Sequence, residues 1–177
     1  QVTDQDAFDP PDTMASDHLF SFQAILPITP IHDIQGAAHL SALDGSSVRT
    51  TGIVTAERGN GFWMQDPDPD ANVATSEGIF VFTSSAPTVN PGDDVAVTGT
   101  VDEFRPGGPT SGNLTTTEIV SPSVVVGSTG NPLPPPTIIG SGGLTPPTTV
   151  IEDDAAGDVE TGGVFDPAND GIDFYES

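Results

Sequence analysis

Two segments of this chain combine strict alternation with a glycine in mid-run: SVRTTGIVTAE (47–57) and DVAVTGTVDEF (94–104). Period-two patterning sorts Val48, Thr50, Gly52 and Val54 to one face and Arg49, Thr51, Ile53 and Thr55 to the other. In the second segment Val95, Val97, Gly99 and Val101 share a side. A glycine at the centre of a long strand weakens a flat sheet but suits a sheet that bends sharply at a barrel corner. Further strand-like runs lie between and after these two: GFWMQ (61–65), GIFVFT (78–83), and a last pair, LTTTEIV and SVVVG. Arg58-Gly59-Asn60 and Pro91-Gly92 supply turns. With no internal repeat and no convincing helical periodicity, the expected class is all-β, a small, five-stranded, strongly coiled barrel.

The flanks differ from this centre. Residues 1–30 open acidic, break at Pro10 and Pro11, and predict one strand, His18–Gln23, with Phe20 and Phe22 on one face. A lone strand must dock elsewhere to bury such a face. Residues 31–126 are the barrel. Residues 127–177 carry PLPPP, GSGG and TPP punctuation with nine acids and no base, the composition of an extended acidic arm. Both ends are expected to dock on the barrel or on neighbouring copies. Gln1 opens onto polar sequence without a signal-like segment, as in a mature or excised piece. The apolar runs are too short for a membrane span.

Charge narrows function. The chain has 26 acidic residues against Arg49, Arg58 and Arg105, no lysine, and a formal charge of −23. Phosphate backbones are bound by replacing counterions with Lys and Arg, so tight nucleic-acid binding is disfavoured. Divalent cations, high salt or solubility in a crowded exterior fit better. Without cysteine, disulfides and thiolate metal sites are excluded.

The loop DPDPDANVATSE (66–77) places carboxylates at alternate positions, and their mutual repulsion needs an offset. Calcium takes six to eight oxygens in tolerant geometry. The ligands would be Asp66, Asp68, Asp70 and Asn72, with Glu77 closing the set; the plain alternative is a solvated turn. The loop lacks the central glycine and flanking helices of an EF-hand. Asp4, Asp6, Asp9 and Asp12 form a looser second set. His18, His32 and His39 show no spacing that suggests zinc. No nucleophile elbow or base partner is visible, so the chain is expected not to be an enzyme.

The stretch IHDIQG through GNGFWMQDP to GIFVFT, followed by PGDDVAVTGTVDEF, resembles the OB-fold module of large secreted bacterial nucleases, which precedes an endonuclease/exonuclease/phosphatase-type domain. The tail FDPANDGIDFYES is similar to the connector leading toward further domains there, and VTDQDAFDPPDTMASDHLFSF resembles the last strands of a bacterial Ig-like domain. The resemblance implies an OB barrel and a secreted, extracellular bacterial parent. The nuclease's catalytic acids and histidines have no counterpart in the matching residues, so hydrolysis does not carry over. A nucleic-acid site of the OB kind would use Trp63, Phe80 and Phe82 for base stacking, with Arg58 and Arg105 at the loops. By alternation Phe62 and Met64 oppose Trp63 and Gln65, so about half of the aromatic set belongs to the core.

Two function classes follow. One is a non-catalytic, calcium-stabilised structural or filament subunit, self-associating through strand addition by its N-terminal strand and C-terminal arm. The other is a nuclease accessory that binds single-stranded nucleic acid.

Overall fold

The computed structural model describes residues 25–154 and 156–177. The expected strand at 18–23, His18 and the Asp4, Asp6, Asp9 and Asp12 set lie outside the described residues.

Five strands, β1 (Ser47–Arg58), β2 (Gly61–Gln65), β3 (Gly78–Phe82), β4 (Asp94–Phe104) and β5 (Thr116–Ser128), close into a barrel in the order β1-β2-β3-β5-β4. All neighbours are antiparallel except β3 and β5. This is the five-stranded Greek-key barrel of the OB type. The alternation works as the sequence predicts. Val48, Thr50 and Val54 of β1 and Val95, Val97 and Val101 of β4 point inward, joined by Phe62, Met64, Ile79, Val81 and Ile119. Trp63, Phe80 and Phe82 therefore face outward, and Phe62 is the aromatic ring given to the core.

The two runs expected as a last pair are one strand. Ser121, at φ 51°, and Pro122 interrupt β5 without ending it, and the β4–β5 register shifts there between Thr98 and Thr100. Gly99 sits opposite this irregularity. A Cβ on Gly99 would lie 2.5 Å from Ile119 Cγ2 and 2.8 Å from the Val120 carbonyl oxygen, so the bend depends on the missing side chain.

A short helix that periodicity did not reveal, α1 (Ile31–Gln35), precedes the barrel. Its Ile31 and Ile34 are fully buried in the same core, and Gln35 Nε2 donates to the Gly78 carbonyl at 2.6 Å. Two residues ahead of it, the Thr29 N–H donates to the Arg49 carbonyl at 2.7 Å, so the incoming chain lies beside β1.

After β5 the arm carries isolated bridges and two short helices, α2 (Val159–Gly162) and α3 (Gly171–Glu176). It returns to the barrel side. Glu160 pairs with Arg105 and accepts from the Thr115 N–H at 2.7 Å, and Glu176 meets His39 at 2.7 Å. No helix among the described residues is long and apolar enough to cross a membrane.

Candidate functional site

Cross-strand register builds an outer face from distant sequence. Trp63 pairs with Phe80, Phe80 with Glu118, and Glu118 with Asp102, which makes one lateral row across β2, β3, β5 and β4. The row lines a groove of about 680 Å³ together with Arg58, Phe82, Phe104 and Val120. The Trp63 and Phe80 rings are tilted at 50° with centroids 4.8 Å apart, and the Arg58 guanidinium carbon stands 6.0 Å from each ring centre. That is cation–π range, so the arginine's charge is already engaged by the rings. Trp63 and Phe104 remain 39 % and 48 % exposed, an apolar surface open to a partner.

The other end of the row is acidic. Burial, followed by the Asp102 charge, pushes the Glu118 carboxyl up to about 7. Near neutrality it can therefore donate as well as accept a hydrogen bond. Arg105, expected in the same site, is committed elsewhere: it donates to the Asn113 carbonyl and to Glu160. Burial raises the Glu160 carboxyl, but Arg105 and Thr115 outweigh it and hold it below the usual range.

The 66–77 loop distributes its acids differently from a single cage. Asp66 and Glu77 come together with His32, one donor atom of each lying within 4.8 Å of the others. His32 Nδ1 is 3.1 Å from Glu77 Oε2, and this contact raises the His32 pKa against the opposing effect of burial. Asp68 and Asp70 are not in that group. Asp66 Oδ1 accepts from the Asp68 N–H at 3.0 Å, Asp70 Oδ1 from Asn72 N–H at 2.7 Å, and Asn72 Oδ1 from Ala74 N–H at 3.1 Å. Glu77 Oε1 takes the Asp70 N–H at 2.7 Å, and the Thr75 hydroxyl donates to Asp70. Much of the repulsion in this loop is thus offset by backbone donors.

Two acidic clusters gather in the tail, where composition alone indicated an arm. His39 lies with Asp173 and Glu176, its Nε2 2.9 Å from Asp173 Oδ1 and its ring edge-on to Phe165 at 5.3 Å. Glu152, Asp153 and Asp170 form the other. Asp170 is buried, and that burial, with Asp153 and Asp173 next in order among the nearby acids, pushes its carboxyl above the usual range. Glu118 and Asp102 enter the site only through strand register, and the tail clusters only through its fold-back, so sequence reading missed them.

A family model described as a domain of unknown function (DUF8508) matches residues 138–177, the segment holding α2, α3 and the acids of both tail clusters, though not His39. No curated protein and no solved structure matches the chain.

Proposed function

We propose that the chain is a non-catalytic binding module that holds a chain of ring-bearing units across the outer β2–β3–β5 face. The observation that carries this reading is the Trp63–Phe80 pair, exposed in a groove with Phe82 and Phe104. OB barrels use this face for oligonucleotides and oligosaccharides. Charge separates the two. The groove has one arginine, stacked on its rings, and two carboxyl groups. A phosphate chain would meet Asp102 and Glu118, whereas sugar hydroxyls would find hydrogen-bond partners there. The favoured ligand is therefore an uncharged glycan chain, with single-stranded nucleic acid as the competing class. Trp63 fluorescence tests this. Titration with a neutral oligosaccharide should shift or quench it, and Phe80→Ala should abolish the response. A response to oligonucleotide alone, falling as salt rises, would transfer the reading to a nuclease accessory. Silence toward both ligands would overturn it.

Self-association is a second reading, supported by one feature of β5. Beyond Val120 this strand pairs, among the described residues, only with β4, and its Val125 is 63 % exposed. A strand from a second copy could add there, as open edges allow. In this reading calcium at Asp66 and Glu77, aided by Asp68, Asp70 and Asn72, stiffens the module in an extracellular setting. Light scattering with and without residues 1–24, and with Val125→Lys, decides it: a particle size unchanged by both overturns strand addition at this edge.

A further inference from the structure

We infer that the tail carries a calcium site built from Glu152, Asp153 and Asp170, separate from the 66–77 loop. One carboxylate oxygen from each lies within 4.8 Å of the others. Proximity of acids alone would mean little, but two of these residues are buried, Glu152 to 5 % and Asp170 to 2 % exposure. Glu152 Oε2 and Asp170 Oδ1 are enclosed and have no hydrogen-bond partner among the described residues. The second Glu152 oxygen is occupied by the Asp154 N–H at 3.0 Å, which fixes the carboxylate's orientation. Buried charge is tolerated where it is paired or bound to metal. An arginine or lysine partner is not on offer: residues 127–177 contain neither, and Arg105, which reaches the tail, is held by Glu160. No ion pair among the described residues involves Glu152, Asp153 or Asp170.

The local fold is shaped around these carboxylates. Thr149 bridges Asp170, and the Gly171 N–H donates to the Thr149 carbonyl at 2.8 Å, which holds the 149–153 segment against the start of α3. Glu152 rests on Gly163, where any Cβ would overlap its carboxylate. Gly163 has φ −97°, so its backbone does not demand glycine; the space does. Asp153, Asp170 and neighbouring Asp154, Asp166 and Asn169 line a cavity of about 570 Å³ that gives an ion a route in.

The donor set selects the ion. All candidate atoms are oxygens, which disfavours zinc with its nitrogen and sulfur preference. Asp153 is exposed and leaves room for waters, and calcium accepts such irregular shells of carboxylate, carbonyl and water. A bound ion would link the two halves of the tail, 149–154 and 163–173.

The test uses the full chain, stripped with chelator and titrated with calcium chloride by calorimetry, with thermal unfolding in parallel. Calcium should bind, raise Tm and protect the tail from protease. Asp170→Asn and Glu152→Gln, close isosteres, should lower affinity by about tenfold or more, while an Asp66→Asn/Glu77→Gln variant keeps the tail's protection. Asp153→Asn, at an exposed position, perturbs packing least and should weaken binding as well. An absent calcium response in the wild-type chain overturns the proposal. So does undiminished calcium protection of the tail in Asp170→Asn or, should that variant not fold, in Asp153→Asn.

Discussion

Glu118 shows how much one residue's setting depends on its neighbours across the sheet. It lies between Phe80 and Asp102 in the lateral row, with its carboxyl pushed up to about 7 from an ordinary 4.5 by burial and then by Asp102. A raised folded-state pKa means that the stabilising, protonated form is complete below about pH 4.5. It is lost as pH rises through about 7. Urea unfolding should accordingly show stability falling between pH 5 and 8, by about 1–2 kcal/mol once solvent screening in the open groove is allowed for. Glu118→Gln should flatten that slope and be the more stable protein at pH 8. Nothing in TTTEIV announces this, because burial and the Asp102 contact arise from register. The DPDPD spacing is a contrary case, since it was legible by a different rule. An Asx side chain accepts from the N–H two residues on, so Asp66, Asp70 and Asn72 at even spacing form a series of such turns. Pro67 and Pro69 have no N–H, and the three amides left at 66, 68 and 70 are all bonded.

At the scale of elements, period-two patterning located the strands because each has one face in the barrel. It failed where a contact overrides the pattern. Ser121-Pro122 reads as a break, yet β5 continues because the irregularity opposite Gly99 absorbs the extra residue. Gly99→Ala should cost about 2–3 kcal/mol in chemical denaturation, since the Val120 carbonyl and Ile119 cannot move away together. A stability within about 0.5 kcal/mol of the wild type would show that this bend does not need glycine. The helix α1 was hidden because five residues span little more than one turn, too few for a periodic signal. It is held by burial of Ile31 and Ile34 instead, and Ile34→Ala should cost about 2–5 kcal/mol in the same assay. The tail was read as an arm from composition, which is blind to specific ties. Glu160 is its anchor, taking Arg105 together with the N–H and hydroxyl of Thr115. Glu160→Ala should weaken tail docking by about 2 kcal/mol, visible as faster protease cleavage between 130 and 177 with the barrel intact.

For the whole molecule the governing quantity is charge. The barrel zone holds twelve acids against three arginines, and the tail adds nine acids without a base, so docking the tail brings like charges together. Screening should stabilise the folded chain. Raising sodium chloride from about 0.1 to about 1 M shortens the screening length from roughly 10 to roughly 3 Å. In chelated protein each kcal/mol of repulsion so removed should lift Tm by about 2–4 °C; a fall in Tm would mean that ion pairs, not repulsion, dominate. A further consequence concerns how the ring shuts. β3 and β5 meet through two rungs, Phe80 with Glu118 and Val81 with Ile119, and residues from the first rung also floor the groove. This join unites chain segments far apart in sequence, the kind of pairing that forms late in folding. It is the thinnest line in the wall. A ligand seated on Phe80 and Glu118 straddles it like a clasp, so occupancy should slow amide exchange at Val81 and Ile119 and turn affinity for a partner into rigidity of the barrel.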